Sequence, residues 1–210
     1  DGDEAYEFTW VGKKASIVEA NKPIRKTLRP CPEESKNWDD TENLYIEGDN
    51  LEVLKLLQES YLGKVKMIYI DPPYNTGDDD FAYKDCLKES SWLTFIENRL
   101  QSSRAFYQAG GTFTASIDIN EIDHLTELLD KELGRINRKA NITVRRASLT
   151  GAKVINPGPV NIGENVILYS NNVSKWQPQN AYRAKGYDNR YGTMIVNPHD
   201  DYSLSLIHIS

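Results

Sequence analysis

Cysteine, histidine and methionine are scarce, with two, three and two copies in 210 residues. Cys31 and Cys86 stand alone, with no CxxC pair and no histidine pair nearby, so neither a disulfide framework nor a zinc site is expected. Long apolar runs are missing as well. The longest, such as Met67 to Ile70, are a few residues, far short of the roughly 20 that cross a bilayer. The opening DGDEAYEF lacks the basic-then-apolar order of a secretion signal, which leaves a cytoplasmic location without membrane association as the expectation. No internal repeat or low-complexity tract stands out.

Charge is present and unevenly placed. The net value of -6 hides 15 basic and 27 acidic side chains in residues 1–134 against 10 and 2 in residues 135–190. The second block is a candidate phosphate-facing surface, although a basic run by itself is as often a solvated face.

Residues 1–43, rich in Pro, Lys and Glu, read as an extended arm against a core. From there the pattern alternates. Leu44 to Ile46 is a short strand candidate, Asn50 a helix cap, and Leu51, Leu54, Leu57 and Tyr61 share a helical face that stops at Gly63. VKMIYI reads as a buried strand that ends at Asp71-Pro72-Pro73, because successive prolines lack the donors a ladder needs. After a loop holding Asp78, Asp79 and Asp80, Ser91 is the expected cap of a helix burying Trp92, Phe95, Ile96, Leu100 and Tyr107, closed by Gly110-Gly111. TFTASIDI is a strand, Asn120 opens a helix carrying Ile122, Leu125, Leu128 and Leu129 that stops at Gly134, and NITVRRA and NVILYS are further strands. The alternation predicts an α/β fold, a doubly wound and mainly parallel sheet with ligands at the carboxyl ends of its strands.

The residues that speak of chemistry are Asp71-Pro72-Pro73-Tyr74, directly after a strand and followed by Asn75-Thr76-Gly77. An exocyclic amine on adenine or cytosine is a poor nucleophile, because its lone pair is delocalised into the ring. The Asp71 carboxylate and the Pro72 carbonyl can grip its two hydrogens, and the prolines stiffen the loop that holds both acceptors. Tyr74 offers a flat face on which a flipped base can stack. A plain Pro-Pro turn is the alternative reading; Asp71 as a metal ligand lacks a partner at a recognisable spacing.

With these residues in view the chain resembles the DNA amino-methyltransferases, and among them the modification subunit of type III restriction-modification systems. The block TENLYIEGDNLEVLKLLQESYLGKVKMIYIDPPYNTG carries the resemblance, supported by YEFTWVGKKASIVEANKPIRKTLRP, SWLTFIENRL, GTFTASIDINE and ENVILYSNN. It implies a Rossmann-like methyltransferase fold, S-adenosylmethionine as cofactor, Asp71 to Tyr74 as the catalytic loop, and Asp49 together with Asp71 near the cofactor. The implied reaction is methylation of adenine N6 in DNA. Cytosine N4 methylation and a non-catalytic DNA-binding remnant remain alternatives. Ile119 departs from the pattern, standing where the family often has a second Asp after Asp118.

The family's glycine-containing cofactor loop is not found, so the chain is expected to be C-terminally truncated, incomplete in fold and inactive alone, with 204–210 a non-native tail. On this reading 44–175 form the catalytic core and 176–203 open the target-recognition region. Arg145, Arg146, Lys153, Arg183, Lys185 and Arg190 would face DNA, with Trp176, Tyr187 and Tyr191 among them. The implied partners are double-stranded DNA with a flipped target base, a restriction (helicase/nuclease) subunit and a second modification subunit.

Overall fold

The computed structural model describes residues 7–75, 87–145 and 162–178. The chain divides into two compact units, Asp1–Gln177 and Pro178–Ser210, and the elements below all belong to the first. They are α1 (Lys13–Asn21), α2 (Asn50–Tyr61), β1 (Val65–Ile70), α3 (Glu89–Ser103), β2 (Tyr107–Ile117), α4 (Ile122–Leu129), β3 (Arg138–Arg145) and β4 (Gly163–Ser170), with a π-helical turn at Asp130–Gly134.

The strands form one sheet in the order β1-β2-β4-β3. β1 pairs parallel with β2, as the expected β-α-β unit requires, whereas β2–β4 and β3–β4 are antiparallel. The sheet is therefore mixed among the described residues, inside the expected α/β class. One face of it, through Ile68, Ile70, Phe113, Ala115, Ile117, Ile167 and Tyr169, meets Trp92, Ile96 and Leu100 of α3 and Leu125, Leu128 and Leu129 of α4. Each fully buried Leu, Ile or Phe among them contributes about 1.5–3 kcal/mol on leaving water. Helical spacing puts the α3 and α4 residues on one stripe, and strand alternation puts the β residues on one face.

Several sequence expectations are corrected. VKMIYI is an edge strand, not a fully buried one. It has a single neighbour among the described residues, so Ile68 and Ile70 turn to the core while Met67 and Tyr69 stay 52% and 56% exposed. Leu44 to Ile46 form no strand; Tyr45 is 93% exposed and no ladder reaches it. The arm holds a helix, α1, that periodicity does not announce, because only Ser16 of it is buried. The arm docks instead through Trp10, whose Nε1 donates to Thr94 Oγ1 at 3.1 Å. Asp49, one residue before Asn50, caps α2 by accepting from Glu52 N at 3.1 Å. α3 starts at Glu89, ahead of Ser91, and α4 at Ile122, because Asp118 holds Asn120 in a preceding turn, accepting from its backbone N at 2.9 Å.

The Gly110-Gly111 pair does not stop a helix. It lies inside β2 at a bulge, where the register runs from Val65↔Tyr107 to Met67↔Thr112. Gly110 sits at φ +82, and a Cβ there would lie 2.4 Å from the Lys175 carbonyl oxygen. Gly110→Ala is expected to cost roughly 2–5 kcal/mol, combining a left-handed backbone with a backbone clash. Gly63→Ala, at φ +65 with nothing within 4 Å of the added Cβ, should lose only the conformational share, about 1–2 kcal/mol. Urea unfolding of the chain measures both; equal losses would contradict the clash.

Candidate active site

The loop that follows β1 is where chemistry is expected, and the structure shows how it is held. Ile70 ends the strand, Asp71 is exposed at its carboxyl end, and Pro72 is buried behind it. Trp92, fully buried on the first turn of α3, donates from Nε1 to the Pro73 carbonyl at 2.8 Å. That bond uses the second proline's acceptor. No backbone or side-chain partner is found for the Pro72 carbonyl among the described residues, so the arrangement keeps the acceptor that amine binding needs.

Tyr74 is half-buried, with its ring against the edge of the core. Its hydroxyl donates to Glu164 on β4 and also meets the Asp71 carboxylate. Burial first, then the bonds to Glu164 and Asp71, push the phenol well above its ordinary value, so it stays a neutral donor across the physiological range. Asn75, in the left-handed region at φ 56, follows at once. Its Nδ2 donates to Glu121 Oε1 at 2.6 Å, and its Oδ1 accepts from Leu87 N at 2.7 Å. Glu121 is 2% exposed, and its other oxygen lies 2.8 Å from His124 Nδ1.

Beside the loop lies a cleft of about 410 Å³ between β1, α2 and α3. Leu54, Ile68, Ile70, Phe95, Leu100 and Phe113 supply apolar walls, and Asn50, Asp71 and Arg99 supply polar groups. Arg99 stacks over the Phe95 ring at 3.6 Å from its centroid, and its buried Nε has no hydrogen-bond partner among the described residues. Asp49, expected near the cofactor, stands at the amino end of α2 with both oxygens engaged: Oδ1 caps the helix and Oδ2 is 3.3 Å from Arg99.

The structure thus brings Asp71, Pro72, Pro73 and Tyr74 together on one stiff loop, with Asp49 tied to Arg99, which lines the same cleft. Of the expected DNA-facing residues, Arg145 ends β3, exposed and laddered opposite Gly163. Arg146, Lys153, Arg183, Lys185 and Arg190 lie outside the described residues, as do Tyr187, Tyr191, Cys86 and 204–210. Trp176 carries Lys139 over its ring at 5.4 Å. Sequence reasoning missed Glu121, Glu164 and Arg99, and it read Trp92 as core alone. The one available signal was the polar run around Asn120-Glu121 after a strand, which marks the same sheet end.

A family model described as DNA methylase, for the N6/N4 methyltransferases, matches residues 65–202. The Mod subunit of the type III restriction-modification enzyme EcoP15I of Escherichia coli is 34% identical over 216 residues, covering 83% of this chain and 32% of its own. The EcoPI Mod subunit of Escherichia phage P1 is 37% identical over 174 residues, covering 66% of this chain and 26% of its own. The chain therefore spans a third or less of the length of these relatives. Among solved structures, the complex of M1.HpyAVI with SAM aligns at a TM-score of 0.42 and 18% identity, over 65% of this chain and 60% of that one.

Proposed function

Since the chain belongs to the DNA methylase family of N6/N4 methyltransferases, we propose that it carries the catalytic loop of an enzyme that methylates adenine N6 in DNA within a type III restriction-modification system. The observation that carries the reading is the Asp71 to Tyr74 loop at the carboxyl end of β1, pinned by Trp92 and Glu164 so that Asp71 and the Pro72 carbonyl stay presented together.

The cleft beside Asp71 suits S-adenosylmethionine. Its volume falls in the usual range for cofactor sites, its walls suit a flat ring, and the buried Arg99 Nε is a donor without a partner among the described residues. Asn50, Arg99 and Asp71 would hold the cofactor, which supplies an electrophilic methyl group when bound. The chain's own residues do the rest. The Asp71 carboxylate accepts one amino hydrogen and the Pro72 carbonyl the other, which draws the nitrogen toward a tetrahedral geometry and frees its lone pair for attack. Asp71 is also placed to take or pass on the proton that the nitrogen sheds as the new N–C bond forms. The Tyr74 ring, held at its hydroxyl, supports the extruded base.

Residues 44–175 would form the catalytic core and 176–203 the start of target recognition. A restriction subunit and a second modification subunit are the expected partners, from the likeness to Mod subunits. The basic block 135–190 would meet phosphates. Replacing Arg145 and Arg146 by Glu in the full-length protein is expected to weaken DNA binding and to reduce the slope of log affinity against log salt by about one for each phosphate no longer neutralised. Fluorescence anisotropy over a salt series measures it, and an unchanged slope would assign these arginines away from DNA. The function itself is tested by transfer of labelled methyl groups to DNA.

A further inference from the structure

We propose that Glu121 is a positioning residue for the methyl-transfer loop, acting through Asn75; the inference rests on the methylation reading above. Neither residue touches the expected substrate groups, yet their contacts fix where the loop leaves the sheet. Asn75 follows Tyr74 directly, in a left-handed conformation at φ 56 that only Gly, Asn and Asp adopt readily. Its side-chain amide joins two elements: Nδ2 donates to Glu121, at the amino end of α4, and Oδ1 accepts from Leu87 N, just before α3. The amide therefore ties residue 75 to residue 87 and to the amino end of α4.

The chemistry of Glu121 makes this tie one-way. An ionised carboxylate only accepts, so the Asn75 nitrogen must face it and the Asn75 oxygen must face Leu87 N; a flipped amide would set oxygen against oxygen and NH₂ against N–H. Leu87 N–H favours the same orientation; a neutral glutamine at 121 could still accept from Asn75, but through a weaker uncharged bond and with one acceptor oxygen in place of two. The carboxylate is 2% exposed, a position where a charge persists only with partners. It has them: Asn75 on one oxygen, His124 Nδ1 at 2.8 Å on the other, and the amino end of α4 beneath it, where negative charge is favoured. With Glu164 holding the Tyr74 hydroxyl and Trp92 the Pro73 carbonyl, Glu121 is the third anchor of the loop and the one that acts on its exit.

The test uses Glu121→Gln, which keeps the volume, and Asn75→Gly, which keeps the left-handed backbone and removes only the amide. On the 210-residue chain, the ¹⁵N indole resonance of Trp92, assigned by its loss in Trp92→Phe, reports the bond to the Pro73 carbonyl; both variants should shift or broaden it. In the full-length protein each should slow single-turnover methyl transfer about tenfold or more, with DNA affinity within about twofold. The double variant should be no slower than the worse single one, as expected when one residue acts through the other. Additive losses that follow thermal stability, or an unchanged Trp92 resonance with an unchanged rate, would overturn the proposal. An unsubstituted full-length protein that methylates no DNA would remove the methylation reading, and with it the role in transfer. The Trp92 resonance would then decide separately whether Glu121 sets the loop.

Discussion

Replacing Asp71 by alanine is expected to lower single-turnover methyl transfer by the full-length protein about 10²–10³-fold, the loss typical of removing one preorganised polar group from a reacting centre. The carboxylate is exposed at the end of β1 and carries no part of the core, so the melting temperature should hold. Asp71→Asn is the sharper variant. An amide keeps the size and one neutral acceptor, which grips the amine more weakly than a charged oxygen and cannot take the proton that the nitrogen sheds. Both variants should bind DNA near normally while failing in transfer. A slow rate matched by a fall in melting temperature would instead assign Asp71 to the fold. Rapid-quench methylation alongside thermal unfolding separates the two.

The second large effect is expected at Tyr74. Tyr74→Ala removes a base-stacking face worth about 1–3 kcal/mol, and so should slow transfer by about ten- to a hundredfold. Tyr74→Phe keeps that face, so stacking by itself would leave most activity. The bond from the hydroxyl to Glu164 changes that expectation. A hydrogen bond to a charged acceptor is worth about 1.5–3 kcal/mol when buried, and less at a half-buried site such as this one. The phenylalanine ring is therefore less firmly held, and its rate should fall between wild type and Tyr74→Ala. With 2-aminopurine at the target position, Tyr74→Ala should also show weaker base extrusion. Normal flipping and a normal rate in Tyr74→Ala would remove the stacking role.

The loop itself was legible because its signal is local. Two prolines after an apolar run can only end a strand, and Asp and Tyr on either side are the groups that amine chemistry needs. The helical faces of α3 and α4 were legible for the same reason, since spacing along one element decides which side chains share a stripe. What holds the loop was not legible. Glu164 is separated from Tyr74 by 90 positions and Glu121 from Asn75 by 46, and no spacing rule joins residues across a sheet whose strand order is unknown.

Neighbours explain the other differences too. An apolar strand sequence does not reveal whether one or two strands flank it, so β1 read as buried although it stands at an edge among the described residues. Gly110-Gly111 read as a helix stop because glycine marks both stops and bulges. The sheet register and the approach of the Lys175 carbonyl distinguish them. Asp49 and Asn50 are both good caps, and the choice fell to the residue whose second oxygen could also meet Arg99.

On the proposed function, Asp71, Pro72 and Tyr74 serve methylation of an exocyclic amine. The most direct measurement is to incubate the full-length protein with DNA and methyl-labelled S-adenosylmethionine, digest the DNA to nucleosides and identify the labelled one. N6-methyladenine is expected, formed by the unsubstituted protein and absent with Asp71→Ala. N4-methylcytosine would keep the loop's role and change the target base. Label in C5-methylcytosine, or in no nucleoside at all, would contradict that role for the loop.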